Sequence, residues 1–132
     1  MVLTEADKTA VFRAAGFKQT RRGWERCEDP GSASYTAGTI EEVLDLNNDG
    51  RQEVVVTEGS VACFGNTGSG FQILTKGVGG AWTVIMDETG IFSAQKTRAN
   101  GWLEVRAGGP GFEHPVFRFD GKQYVRNRMQ RE

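Results

Sequence analysis

Oxygen-bearing side chains recur at alternate positions of one short segment, and this spacing is the most chemically specific pattern in the chain. The segment runs from Asp45 to Glu53. Calcium takes six to eight hard oxygen ligands, and alternate residues of a tight loop can aim oxygens at one point while a glycine allows the sharp turn. The sequence therefore predicts a calcium-type loop with the ligands Asp45, Asn47, Asp49, the backbone carbonyl of Arg51, and Glu53.

The twelfth position of this loop separates two classes of calcium site. An EF-hand needs a bidentate Glu there, but the twelfth residue is Val56, inside an apolar run. The segment instead resembles the strand-loop-strand calcium sites of FG-GAP and VCBS-like repeats, in the motif residues Asp45, Asn47, Asp49, Gly50 and Glu53. This resemblance implies a structural calcium loop between two β-strands. A closed propeller needs at least four blades, for which 132 residues are too few.

Two further interpretations bear on the same segment. It also resembles a DLNGDGRPE-type segment of small uncharacterised bacterial proteins, which implies a secreted or periplasmic location. Alternatively, the Asp and Asn side chains satisfy the amides of their own loop, and the segment is a well-made β-turn without metal. Asn47 in place of a carboxylate weakens a calcium site and favours this alternative.

The two cysteines, Cys27 and Cys63, are the clue to the compartment. In the chain-entropy model, a disulfide closing their loop contributes about 4 kcal/mol of stability, and such a bond suits an oxidising compartment. We expect the disulfide and a periplasmic or secreted location, with a signal peptide missing from this sequence. Two free thiols in a cytoplasmic protein remain the alternative.

Composition narrows the class of protein. Sixteen Lys and Arg against seventeen Asp and Glu give a net charge of -1, so no overall field favours nucleic acid. No run of 18 apolar residues exists, so we expect no membrane insertion. Eighteen glycines with only three prolines indicate many tight turns, as in β-rich proteins.

Local patterns predict one N-terminal helix followed by strands. Residues 4–15 have helical spacing with Thr4 as cap, and residues 17–27 indicate a hairpin with Arg21 and Arg22 near its tip. Residues 39–42 fit a helix or a strand, and we favour the strand. Further predicted strands are 53–57, 61–64, 71–75, 82–86, 102–106, 116–119 and 123–125. Residues 91–97 are ambiguous, with a short helix as one option, and residues 126–132 are predicted to be a polar tail.

These elements predict a single α+β domain, mainly β, over residues 1–132. The helix packs on an antiparallel β-meander of roughly eight strands within residues 17–126. Residues 48–59 resemble residues 99–109, with Glu53 matched to Glu104, which suggests two degenerate strand-loop-strand repeats.

Residues that could support catalysis lack a recognisable arrangement. His114 is the only histidine and has no nucleophile signature beside it, and no CxxC or HxxxH spacing indicates zinc. Carboxylates such as Glu41, Glu42 and Glu58 leave a small hydrolase as one alternative. The sequence favours a non-enzymatic binding module for an unknown protein or small ligand. The other alternative is an inhibitor or immunity-like protein that blocks an enzyme with the loop Gly108 to His114.

Overall fold

The N-terminal helix is the first element of the computed structural model, which describes residues 3–131. Helix α1 spans Glu5–Ala14. Thr4 and Asp7 form a capping box, in which each side chain accepts a hydrogen bond from the backbone N–H of the other (3.0 and 3.2 Å). Gly16 follows at φ +92°, a left-handed conformation that glycine adopts without steric cost. The predicted helix is confirmed.

A short hairpin packs beside this helix. Strand β1 (Lys18–Thr20) pairs antiparallel with β2 (Gly23–Glu25), so the turn lies at residues 21–22 as predicted. Trp24 stacks on Phe12 of α1, with ring centroids 5.0 Å apart. The helix and the hairpin therefore form one layer.

The first sheet is a four-stranded antiparallel meander. Its strands, in spatial order, are β3 (Thr36–Leu44), β4 (Glu53–Gly59), β5 (Ser69–Lys76) and β6 (Trp82–Thr89). Between β4 and β5 the chain forms the helix α2 (Val61–Phe64) and a 3-10 turn (Gly65–Thr67). The loop predicted to bind calcium connects β3 with β4.

The second sheet is another four-stranded antiparallel meander. It consists of β7 (Ile91–Ala99), β8 (Trp102–Gly108), β9 (Glu113–Phe119) and β10 (Tyr124–Arg131), in that spatial order. The β9–β10 turn is held by Asp120, whose Oδ1 accepts the N–H groups of Lys122 and Gln123. Its two strands agree with those predicted at residues 116–119 and 123–125.

Three layers enclose two cores. Sheet one packs against sheet two through residues such as Val55, Phe71 and Phe117, and its other face packs against α1 through residues such as Val54 and Val56. Strand β4 is therefore buried on both faces, which explains its continuous apolar run rather than strict alternation. Apolar burial on both sides of this sheet is the main stabilising contribution expected for the fold.

Two predicted elements are wrong in detail, and the structure decides a third that the sequence left open. Residues 61–64 form a helix rather than a strand, because the Ser60 hydroxyl accepts the N–H of Cys63 and starts a helical turn. Residues 91–97 lie in β7, where pairing with β8 decides between the two options. Residues 126–131 continue β10, with Arg131 opposite Glu113. Their polarity reflects an edge strand that faces solvent, not a tail; residue 132 lies outside the described part.

The predicted class, a mainly β fold with an N-terminal helix and antiparallel sheets, is confirmed. The strands form two meanders and a small hairpin instead of one meander of about eight strands. Glu53 and Glu104 both lie in the second strand of their meander, β4 and β8. Within residues 3–131, no helix has the length and apolar character needed to cross a membrane.

Candidate functional site

The loop between β3 and β4 satisfies much of its own backbone. The two carboxylate oxygens of Asp45 accept the N–H groups of Asp49 (3.2 Å) and Gly50 (2.8 Å), and Oδ1 of Asp49 accepts the N–H of Arg51 (2.8 Å). Burial raises the pKa of Asp45, but the amide hydrogen bonds outweigh it and lower the pKa below its usual value. Gly50 at φ +83° provides the turn. These contacts are those of a tight Asx-type loop.

Asn47 contributes a different feature to this loop. Its Nδ2 donates to Oδ2 of Asp49 (3.1 Å), while its buried Oδ1 has no hydrogen-bond partner within residues 3–131. An oxygen of this kind is available to a cation. Within residues 3–131, however, no group of three or more His, Cys, Asp or Glu side chains has an arrangement that could hold a metal ion.

Glu53 holds the loop to the sheet. It is 1% exposed, its Oε1 accepts the N–H of Leu46 (2.8 Å), and its Oε2 accepts the hydroxyl of Thr75 on β5 (3.2 Å). Burial raises the pKa of Glu53, with a smaller contribution in the same direction from Asp49 and Asp45. Both oxygens of Glu53 therefore face protein donors.

The same loop connects the two sheets. The carbonyl oxygen of Leu46 accepts the N–H of Leu103 on β8 (2.9 Å) and Nη1 of Arg98 on β7 (3.2 Å). On the other side, Nη2 of Arg51 donates to the carbonyls of Lys76 and Gly77 (2.9 and 3.2 Å). The segment that carries the five predicted ligands thus ties sheet one to sheet two.

A disulfide joins Cys27 to Cys63, with Cα atoms 6.2 Å apart, and the predicted pairing is confirmed. Buried carboxylates order the chain around it. Glu58 is 4% exposed and accepts the N–H groups of Arg26 and Cys27 (both 3.0 Å) and the hydroxyl of Tyr35 (2.7 Å). Glu58 therefore has a structural role here.

Asp29 anchors the next turn. Its oxygens accept hydrogen bonds from the hydroxyl of Ser60 (2.6 Å), the N–H groups of Gly31 and Ser32 (both 2.8 Å), and Nη1 of Arg22 (3.1 Å). The Ser60 hydrogen bond is the largest cause that lowers the pKa of Asp29, and these bonds together outweigh the effect of burial. Arg22, one of the predicted hairpin-tip arginines, is thus an intramolecular partner.

The loop between β8 and β9, residues 109–112, has a fixed base and an exposed tip. His114 is 5% exposed and its Nε2 lies 2.7 Å from the carbonyl oxygen of Gly109. A Cβ on Gly109 would lie 3.3 Å from Thr67 of the 3-10 turn, so the two segments are in close contact. At the tip, the Phe112 side chain is 75% exposed. The buried His114 supports the loop that carries Phe112.

Other apolar side chains are exposed near this loop. Because the strands are antiparallel, the starts of β7 and β9 and the ends of β8 and β10 lie at the same end of sheet two. Ile91 (54% exposed) pairs with Gly108 there, and Met129 (49% exposed) pairs with Pro115. We call this end of the sheet, with Ile91, Phe112 and Met129, the loop end.

Sequence reasoning named the segment Gly108 to His114 but did not single out Phe112, Ile91 or Met129. An aromatic directly after Gly-Pro-Gly was a usable signal for Phe112, since such a turn seldom buries the next side chain. Ile91 and Met129 have no local signal, because only strand pairing brings them to the same end. Glu41 and Glu42 are exposed on the edge strand β3.

Comparison with protein-family models, with curated proteins and with solved structures finds no match for this chain.

Proposed function

We propose that this chain is a non-enzymatic protein-binding module of an oxidising, extracytoplasmic compartment, and that the loop end is its contact surface. The observation that carries the proposal is the 75% exposure of Phe112 on a loop whose base is held by buried His114. Exposed aromatic side chains are frequent anchors in protein interfaces. Ile91 and Met129 are exposed apolar side chains at the same end of the sheet, on its two edge strands.

The rigidity of the loop favours recognition of a preformed site. A contact loop that is ordered before binding loses less conformational entropy when the complex forms. His114 and the close approach of Gly109 to Thr67 hold the 109–112 loop to the sheet and to the 3-10 turn. This architecture supports an inhibitor or immunity-like role, in which Phe112 enters a pocket of the partner.

The carboxylate chemistry favours binding over hydrolysis. A hydrolase of the two-carboxylate kind needs acids facing each other across a cleft. Glu58 is committed to the backbone of Arg26 and Cys27, and Glu53 to Leu46 and Thr75. The disulfide supports the extracytoplasmic part of the proposal, since such bonds persist mainly in oxidising compartments.

Calcium binding is a subordinate part of the same proposal. Asp45, Asn47 and Asp49, with the carbonyl of Arg51, would hold the ion, while Glu53 keeps the loop attached to β5. The support is the buried Oδ1 of Asn47, which lies in the same loop as two carboxylates and has no hydrogen-bond partner within residues 3–131. A bound ion would neutralise these carboxylates and stiffen a loop that already connects the sheets.

A photocrosslinking experiment tests the proposed contact surface. A photoreactive phenylalanine analogue is placed at position 112, and at position 78 as the matched control. Val78 is 102% exposed but lies between β5 and β6, away from the loop end. In extracytoplasmic extract, we expect a discrete protein adduct at position 112 that is absent at position 78.

Affinity measurements then complete the test. The crosslinked protein is identified by mass spectrometry, purified, and titrated against wild type, Phe112→Ser and Val78→Ser. Loss of a buried aromatic anchor costs about 2 kcal/mol or more, a weakening of about thirtyfold. Equal crosslinking at both positions, or unchanged affinity of Phe112→Ser, would refute the proposed contact surface.

A further inference from the structure

One face of sheet two is basic, and within residues 3–131 no helix is among the main packing partners of this sheet. Val105, Ala107 and Phe117 point into the core between the sheets. Side chains alternate along a strand, so Glu104, Arg106, Val116 and Arg118 point the other way. We call this surface the outer face. The outer face of sheet one, by contrast, is covered by α1.

Strand pairing places arginines in a row across the outer face. Arg106 on β8 is opposite Val116 on β9, and Val116 is opposite Arg128 on β10. With adjacent strands about 4.8 Å apart, the backbones at Arg106 and Arg128 are about 10 Å apart. Val116 is 0% exposed, so this position of the outer face is covered by neighbouring side chains. Arg118 lies two residues further along β9.

Glu104, the acidic residue in the middle of this basic surface, is already paired. Glu104 is 6% exposed and accepts hydrogen bonds from Arg128 (2.9 Å), Asn127 (2.8 Å) and Thr97. Arg128 remains 41% exposed. Arg118 interacts electrostatically with Asp120 of the β9–β10 turn, but it forms no ion pair within 4.0 Å among residues 3–131. The outer face therefore keeps a net positive charge.

Basic and acidic residues are unevenly distributed between sheet two and the rest of the chain. Residues 91–131 contain eight Lys or Arg and three Asp or Glu, whereas residues 3–90 contain eight and thirteen. The net charge of -1 thus conceals a basic second sheet joined to an acidic remainder. Such an asymmetry orients an approaching partner and raises its association rate.

The outer face continues into the loop end. A Cβ on Gly108 would lie 3.9 Å from Nε of Arg106 and 4.0 Å from Cβ of Ile91. Nε of Arg106 and Cβ of Ile91 therefore lie on the same side of Gly108. An apolar anchor bordered by arginines has the composition of a protein interface, in which Arg and aromatic residues are enriched. Glu104 in the middle of the face disfavours a uniform polyanion such as nucleic acid.

We propose that the outer face of sheet two binds an acidic protein surface, with Arg118 and Arg128 facing its carboxylates. The apolar loop end contributes Phe112 to the same contact. This inference rests on the proposed function only in assigning both surfaces to one partner. The recognition of carboxylates by arginine is a separate property, because guanidinium groups pair with them in a planar, two-bond geometry.

The experiment uses a short fluorescein-labelled peptide rich in Glu and Asp as the probe. Its binding to the full chain is measured by fluorescence anisotropy at low and at physiological ionic strength. Arg118→Glu tests the face. The matched control is Arg21→Glu, the same charge change at an exposed position on the β1–β2 turn. We expect Arg118→Glu to weaken peptide binding about fivefold to tenfold, Arg21→Glu to leave it within about twofold, and added salt to weaken it.

Other probes separate the possible occupants of the face. Heparin or duplex DNA that binds more tightly than the peptide, with the same dependence on Arg118, would overturn the proposal in favour of a polyanion. Self-association of wild type in sedimentation experiments, abolished by Arg118→Glu, would identify a second copy as the occupant. Absence of peptide binding at low ionic strength would also overturn it.

The Phe112→Ser variant separates this inference from the proposed function. It should bind the acidic peptide as wild type does, because Phe112 adds no charge. If it does so while keeping full affinity for the crosslinked partner, the proposed function fails and the acidic-surface inference survives. If Arg118→Glu leaves peptide binding unchanged while Phe112→Ser loses the partner, the acidic-surface inference fails and the proposed function survives.

Discussion

Replacement of Glu53 by glutamine and by alanine tests whether this side chain holds the loop to the sheet through its hydrogen bonds rather than through its charge. Glutamine keeps the carbonyl oxygen that accepts the N–H of Leu46, and its amide can donate to the hydroxyl of Thr75. Alanine removes both interactions. The comparison therefore separates the hydrogen bonds of Glu53 from its charge.

The expected size of the alanine effect follows from the two donors left behind. An unsatisfied buried donor costs about 1–3 kcal/mol. With the added loss of side-chain packing, Glu53→Ala should destabilise the fold by about 2–4 kcal/mol. For 132 residues the unfolding entropy is about 0.28 kcal/mol/K. The melting temperature should therefore fall by about 7–14 °C.

The glutamine effect should depend on pH. Burial raises the pKa of Glu53 in the folded chain. The contribution of Glu53 to stability is therefore fully present below its pKa in the unfolded chain, about 4.3. It is lost as the pH rises through its pKa in the folded chain. Glu53→Gln avoids this loss. We expect the variant to match wild type near pH 4 and to exceed its stability at pH 8.

Urea unfolding with EDTA present, at pH 4 and pH 8, measures these free energies for wild type and both variants. Thr39→Ala is a suitable control for an exposed position, since Thr39 lies on the edge strand β3. If Glu53→Gln were as unstable as Glu53→Ala at pH 8, the negative charge itself would be required. That result would refute the assignment of a role to Glu53 that depends on its hydrogen bonds and not on its charge.

Three further predictions concern the metal, the disulfide and the buried Asp29. If calcium binds with a dissociation constant of about 10⁻⁴ M, then about 1 mM calcium stabilises the fold by about 1.4 kcal/mol. EDTA should reverse the rise in melting temperature and Asp49→Asn should abolish it, whereas no rise at several millimolar calcium contradicts the site. Reduction of the disulfide, or Cys27→Ser, should cost about 4 kcal/mol in urea unfolding; a reduced wild type as stable as the oxidised form would contradict this. Asp29→Asn should be less stable than wild type at pH 7, and the difference should shrink as pH falls below about 4. The reason is that the folded chain lowers the pKa of Asp29, so its carboxylate stabilises the fold above the pKa of the unfolded chain and loses this effect on acidification. A difference that persists unchanged in acid would contradict the role of its charge.

Elements governed by local chemistry were predictable from the sequence. The capping residues of α1, the β-branched run of β4 and the Asp120-Gly121 turn each act within a few residues of chain. Segments 61–64 and 91–99 were not predictable in the same way. Segment 61–64 has an apolar pattern typical of a strand, but it forms a helix that is capped by Ser60 and contains the disulfide-bonded Cys63. Segment 91–99 becomes a strand only because it pairs with β8.

The candidate site shows the same division. The motif from Asp45 to Glu53 was visible in the sequence, but the engagement of Glu53 with Leu46 and Thr75 was not, because Thr75 is 22 residues away. Likewise, the loop Gly108 to His114 could be named from its glycines. The exposure of Phe112 and the burial of His114 depend on how β8, β9 and the 3-10 turn pack.

The sequence by itself determined the helix, the mainly β character, the calcium-type motif and the two cysteines. Only the tertiary structure decided that the strands divide into two stacked meanders, and that Ile91, Phe112 and Met129 lie at the same end of sheet two. It also turned an even overall charge into a basic face with Arg106, Arg118 and Arg128. The physical reason is that turns and caps depend on neighbouring residues, whereas burial and the composition of a face depend on pairings between distant strands.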